Sequence, residues 1–413
     1  MHKKKKKKSS EHAFKLVKAQ HRNEYLQKLE YWCNTLCEEK VFKHFPTEYL
    51  DRIYTFRCRQ FKVEIAQGYS VNKAVVKFFE ELVLIHSKNE EHLLAKHLPM
   101  ITVENFFTIG LSLHLIYLDI INGVQSFGKE IDKTLLKLEI IPQNFMVIGD
   151  KFIAALSIVG NFSSEINESL HWLYHDMEKQ NETVPIICNK IKIYNRTLET
   201  KSVTIDGNTR PVIRLGWAFA NFGIEYSSIT PKQLGIKSQF NEIPMDVYIQ
   251  SHAIMRLSER IDVIQTGLLH LNIFLSLKNP VICYDQNMRL LIEYRFYGTK
   301  VGYFRADIIE GIIVLRTFLF ITNNGTPESR KLEQNTGLQK FDIEYLAINK
   351  LSSFMNSEID NNEAVKKILV DANCQCLLEL YKKMGPIIRK TNNTFDCESL
   401  LEYLKQEPIE MLA

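Results

Sequence analysis

Ser251-His252-Ala253-Ile254-Met255-Arg256-Leu257-Ser258-Glu259-Arg260 sets an imidazole and two guanidinium groups at successive four-residue intervals. On an α-helix that spacing lines up His252, Arg256 and Arg260 along one ridge. Arginine offers phosphate oxygens a planar, permanently charged fork, and histidine exchanges a proton near neutral pH. Such a ridge suits binding or cleavage of a phosphodiester. It equally suits a solvated helix face on which Glu259 answers part of the charge. Ile254, Leu257 and Ile261 fall on the other side and are expected to form the core face.

Further candidates follow on strand-like runs. Every residue of Ile312–Phe320 is apolar except Arg316 and Thr317, the pattern of a strand buried on both faces. An arginine there must be paired or face a cleft, and Glu293 is the expected partner if it is paired. Arg295 shares a face with Glu293 on the neighbouring run, and Tyr303 shares one with Arg305 on the next. Two other histidine pairs are weaker. His171 and His175 stand four apart on a stretch, Glu165–Lys179, that reads as a helix, but no third metal ligand accompanies them. His92 and His97 are five apart. Asn323-Asn324-Gly325-Thr326 precedes a helix but lacks P-loop spacing, so it reads as a capped turn.

The elements that must position these groups fall into an α+β pattern: a helical N-terminal domain, then a mixed α/β C-terminal domain with an antiparallel sheet and flanking helices. Steps of three and four predict helices over Phe14–Leu36, Tyr49–Ala66, Val71–His86 and Phe106–Ile121. The stretch Ile186–Ile213 alternates apolar and polar residues, and Asp206-Gly207-Asn208 supplies hairpin chemistry. Beyond it come two helices, the first beginning near Ser251 and the second capped by Asp262. Strand runs Val281–Tyr284, Arg289–Tyr297, Lys300–Ala306 and Gly311–Ile321 follow, joined by short turns. Thr326-Pro327 starts another helix, and Asn362–Met384 and Cys397–Lys405 read as helical. The expected division is a Lys-rich disordered tail (1–10), a helical domain (11–180), a β-rich bridge or subdomain (181–240), an α+β module (241–340) and C-terminal helices (341–413). Whether the patch at 186–226 joins the later sheet stays open at this point.

The order of a helix carrying His252-Ala253-x-x-Arg256-x-x-x-Arg260, a second helix and a strand meander resembles the RelE-like toxin ribonucleases. These belong to a wider fold group with barnase, the EndoU nucleases and colicin nuclease domains. The resemblance covers Pro244–Ile321. It implies metal-independent RNA cleavage, in which a base activates the ribose 2′-hydroxyl and cations steady the pentacovalent phosphate. His252 would then be the helix histidine, Arg256 and Arg260 the helix arginines, Arg295 and Arg316 strand cations, and Tyr303 a proton donor. The sequence departs from that group in its charge, since residues 251–330 hold nine basic against seven acidic side chains.

Composition frames these expectations. The 413 residues are 45% apolar and 24% charged, a globular mixture with room for more than one core. The net charge of +4 rests on Lys3–Lys8; without those six, 46 basic residues face 48 acidic ones, so no broad basic surface is expected. Eight cysteines lack zinc-finger or CxxC spacing, which points to reduced thiols in a cytoplasmic protein. No apolar leader follows the lysine run, and Phe106–Ile121 reads as a buried helix rather than a membrane span. RNA is the expected partner of the C-terminal module, with no cofactor, metal or membrane. The alternative is a non-catalytic protein whose helical half binds another protein.

Overall fold

The computed structural model describes residues 2–179, 187–236, 242–355, 359 and 361–384. The fold class is α+β, as the patterning predicts. The chain forms two compact units that interleave in sequence: Met1–Gly160 with Trp172–Asn195 and Ala220–Phe222, and Asn161–His171 with Arg196–Phe219 and Gly223–Ala413. The β-rich patch expected as one bridge over 181–240 is therefore shared out, because its strands belong to three different sheets. The expected helix Cys397–Lys405 lies outside the described residues.

In the first unit, α1 (His2–Cys37) takes in the lysine run expected as a disordered tail. Lysine is a good helix former, and neither glycine nor proline interrupts the run into the amphipathic segment. Leu29, Trp32, Cys33 and Leu36 form the buried stripe of α1. The predicted helix Tyr49–Ala66 is instead α2 (Thr47–Phe56) followed by strand β1 (Arg59–Ile65). Helix α3 (Lys73–Asn89) is capped by the Asn72 side chain. A short hairpin pairs β2 (Glu91–Leu93) with β3 (Met100–Thr102).

Thr102 then caps the helical run α4 (Val103–Ile121) by accepting from the Asn105 amide. By length and composition α4 could cross a membrane, yet half of it is buried within the protein. Its Asp119 is held by Tyr49 Oη at 2.9 Å and Arg52 at 2.8 Å, so the carboxylate carries its own partners into the interior. Residues Phe106–Gly110 of α4 form a π-helical turn. Helix α5 (Ile140–Asn161) adds Ile148, Phe152 and Leu156 to the core. The predicted helix Glu165–Lys179 is instead β4 (Leu170–Lys179), which joins β5 (Ile187–Arg196) and β1 in a sheet of order β1-β5-β4.

The second unit is built on an eight-stranded sheet. Strands β6 (Thr200–Ile205) and β7 (Asn208–Arg214) form its far hairpin, so this part of the patch does join the later sheet. Beyond them lie a separate hairpin, β8 (Gly216–Phe219) with β9 (Gly223–Tyr226), then β10 (Ser228–Ile229) and β11 (Met245–Ile249). Two helices follow, α6 (Ser251–Arg260) and α7 (Thr266–Lys278). The first begins at Ser251, as expected; the second has Gln265 and not Asp262 at its N-cap, and Asp262 instead bonds Ser352.

The meander is β12 (Ile282–Tyr284), β13 (Leu290–Phe296), β14 (Thr299–Ile309) and β15 (Ile312–Phe320). The sheet runs β12-β13-β14-β15-β11-β7-β6, antiparallel except where β11 lies parallel to β15. Three of its hairpins turn on two residues with positive φ: Asp206-Gly207, Tyr297-Gly298 and Glu310-Gly311. That is the twist-matched geometry for which Xaa-Gly is suited. Helix α6 packs on β15 and α7 on β13. After Thr326 caps α8 (Pro327–Thr336), α9 (Glu363–Asp371) and α10 (Gln375–Met384) are the last helices among the described residues.

Helix α7 is apolar on nearly every side and correspondingly buried, and it carries His270 at 0% exposure. Nδ1 of His270 accepts the Ile166 amide at 3.1 Å, which fixes the proton on Nε2. Burial lowers its pKa to about 4. The folded state thus resists a proton that the unfolded chain accepts near pH 6.5, so stability is complete above that pH and falls as the pH drops towards 4. The gap corresponds to about 3 kcal/mol. Denaturant melts from pH 7 to 4 should show a stability slope that flattens by close to one proton in His270→Asn, whose Oδ1 takes the place of Nδ1 and can still accept from Ile166.

Candidate functional site

The register of the second sheet decides which of the candidate residues meet. Ile249 at the end of β11 lies opposite Leu315 on one side and Ile213 on the other. The Gln250 amide continues the ladder to the Leu315 carbonyl at 3.0 Å, and the chain turns directly into α6. His252 on the first turn of α6 is thereby set beside Arg316, the residue after Leu315, and beside Arg210 of β7. Together with Pro211, Gln250 and Ser251 they line an open cleft of about 430 Å³. No side chain caps the start of α6, so its first amides face the same region with the positive end of the helix dipole.

Arg316 is not paired with Glu293. Its two terminal nitrogens bond Asp307 and Asp206, each at 2.7 Å, and these bonds outweigh burial to hold its pKa above the ordinary arginine value. The same contact holds the Asp206 carboxyl below its usual range. Glu293 instead serves Arg295 at 2.8 Å, with Lys300 at 3.9 Å.

The other candidates are not brought to the cleft. Along the α6 ridge, Arg256 bonds Glu259 at 2.8 Å, and Arg260 is half-buried, with its pKa lowered by that burial and then by Arg256. Arg295 lies on β13 beside a separate, smaller depression. Tyr303 is buried, and its hydroxyl donates to both oxygens of Glu328 at 2.9 and 3.1 Å. Burial first, then the Glu328 charge, raises its pKa, so the phenol holds its proton inside a structural network. Lys300 completes that network with a 2.5 Å contact to Glu328, which is itself 4% exposed.

The histidine pair at 171 and 175 has internal roles. His171 Nδ1 lies 2.9 Å from the Ser163 carbonyl and His175 Nε2 lies 3.1 Å from Asn189 Oδ1. Among the described residues no group of three or more His, Cys, Asp or Glu side chains is placed to hold a metal ion. Arg210 is the residue that sequence reasoning missed. The signal was present in the Asp206-Gly207 turn, whose two-residue hairpin pairs Val203 with Arg210 and orients the latter. The chain matches no family model, no curated protein and no solved structure.

The charge pairing predicts unequal costs for two substitutions. Glu328→Ala strands the Lys300 ammonium and the Tyr303 hydroxyl and should destabilise the chain by about 3 kcal/mol. Arg256→Ala removes an exposed ion pair and should cost less than about 1 kcal/mol. Urea denaturation of both variants measures the difference.

Proposed function

We propose that the second unit binds the phosphodiester backbone of RNA in the cleft at the start of α6. The observation that carries the reading is the convergence of Arg210, His252 and Arg316 on that cleft. Arg210 is exposed there, and no ion pair holds it among the described residues. Arg316 is fixed by Asp206 and Asp307, so it braces the wall while contributing little net charge. His252 is the one titratable imidazole in the lining, and cleavage by concerted acid and base needs a second proton-transfer group. The reading is therefore binding first, with metal-independent cleavage as a further step in which His252 moves the proton. The free thiols of the seven described cysteines fit a cytoplasmic setting.

Fluorescence anisotropy with a single-stranded RNA in EDTA, over a salt series, tests this. Arg210→Ala should weaken binding about tenfold and lower the salt slope by about one. His252→Ala should weaken it as well, and Arg256→Ala should leave it unchanged. If the RNA does not bind, or if Arg256→Ala matches Arg210→Ala, the reading fails. Loss of RNA length in EDTA that disappears in His252→Ala would add the cleavage step.

One observation favours a second reading, in which the first unit docks a protein. Leu93 and Met100, opposite each other across the β2–β3 hairpin, are 48% and 53% exposed, and Met146 and Val147 on α5 are 69% and 53% exposed. Cross-linking in cells should then join a partner to the nearby Lys96 or Lys151. Partner cross-links confined to other lysines would remove this reading.

A further inference from the structure

The first unit holds a concave site that owes nothing to the cleft at α6. Three segments enclose about 380 Å³: α1 through Tyr25 and Lys28, the approach to β1 and its first residue through Arg57 and Arg59, and α4 through Glu104 in its first turn and Thr108 in its π-helical turn. That volume is within the range of small-ligand sites.

Buried polar bonds hold these walls. Asn189, fully buried on β5, donates from one amide nitrogen to the carbonyls of Arg59 at 2.9 Å and Phe107 at 3.2 Å, so a single side chain ties β1 to the π turn. Its oxygen meets His175, which explains a histidine in a ring of Phe61, Phe107 and Phe152. On the α1 side, Tyr25 Oη donates to Ser112 Oγ at 2.5 Å, and Ser112 reaches back to the Thr108 carbonyl. A π turn kept in a buried core by specific partners is a frequent mark of a functional site.

The charges here differ from that of Arg316, which two carboxylates hold. Arg57 is oriented by the Tyr54 carbonyl at 2.5 Å and lies 3.8 Å from the Tyr54 ring centroid, which fixes the fork without neutralising it. Among the described residues, no ion pair holds Lys28, Arg57 or Arg59. Two guanidinium groups and one ammonium thus gather with two carboxylates, Glu24 and Glu104, and one imidazole, His21. The floor adds no charge, because burial keeps Tyr25 protonated and pushes the Cys58 thiol up to about 12.

We infer that this cavity binds a small phosphorylated metabolite bearing hydroxyl or amino donors, of nucleoside monophosphate size. The phosphate meets Arg57, Arg59 and Lys28, as arginine forks favour. Glu24 and Glu104 would repel a bare anion, and they instead accept from the donors of the organic part. Tyr25 and Ile109 supply the apolar wall.

Isothermal titration calorimetry on the full chain tests the assignment, with AMP, UMP, ribose 5-phosphate, adenosine and inorganic phosphate as probes. At least one phosphorylated organic probe should bind at least tenfold more tightly than adenosine and than inorganic phosphate. Arg59→Gln and Lys28→Gln, both on exposed positions, should each weaken it about fivefold or more with an unchanged melting temperature. Arg210→Ala should leave the titration unchanged, which separates this site from RNA binding in the second unit. Absence of binding at millimolar probe, equal binding of adenosine or inorganic phosphate, or indifference to both substitutions would overturn it.

Discussion

The parallel pairing of β11 with β15 is the contact on which the second unit depends. Val247, Tyr248 and Ile249 lie opposite Ile313, Val314 and Leu315, and every member except Tyr248 is at most 1% exposed. This ladder joins the β6–β7 hairpin, which ends at Arg214, to the β12–β15 meander, which begins at Ile282. It also decides where α6 begins, since Gln250 spends its amide on Leu315 before the helix starts. A shift of one residue would send Ile249 and Val247 to the other face and move His252 away from Arg316. The cleft is thus a consequence of core packing: burial sets the register, and the register sets the distance between cations.

A second constraint sorts those cations. An arginine or lysine buried in a sheet must bring a carboxylate with it, and four strand residues of unit two do so. Arg316 has Asp206 and Asp307, Arg295 has Glu293, Lys300 has Glu328, and Arg214 has Asp246 at 3.0 Å. Each pairing removes charge that a ligand might have met. The six side chains singled out by residue type therefore differ sharply in what remains available, and only His252 and Arg316 share a cleft. Residue type indicates what a group can do, whereas its nearest carboxylate decides whether it is at liberty to do it.

The sequence pattern conveyed local chemistry well and pairing poorly. The Asp206-Gly207 and Glu310-Gly311 turns, the Thr326-Pro327 helix start and the core face of Ile254, Leu257 and Ile261 all follow from rules spanning a few residues, and the structure has each of them. The misreadings at Glu165–Lys179 and Tyr49–Ala66 have one cause. In both, apolar residues recur at positions that satisfy a helical period and a strand period together, and the β1-β5-β4 sheet decides between them through partners far along the chain. The partner of Arg316 was hidden for the same reason, because Asp206 lies 110 residues away and reaches it only through the sheet order.

The α4-turn cavity of the first unit and the α6 cleft of the second are braced in different ways, and the difference bears on chemistry. In the second, opposite charges meet at short range and the network is closed, which favours a rigid wall over a reactive one. In the first, the buried groups around the α4 turn are neutral amides, hydroxyls and an imidazole whose pKa is lowered chiefly by desolvation. Neutral groups can brace a wall without compensating the charges above it. Arg57 is therefore held by a carbonyl and an aromatic face, contacts that fix its direction and leave its charge uncancelled. A carboxylate in that position would have fixed it equally well and closed the site. Orientation without neutralisation is the condition under which a cation keeps its attraction for an anion from solution.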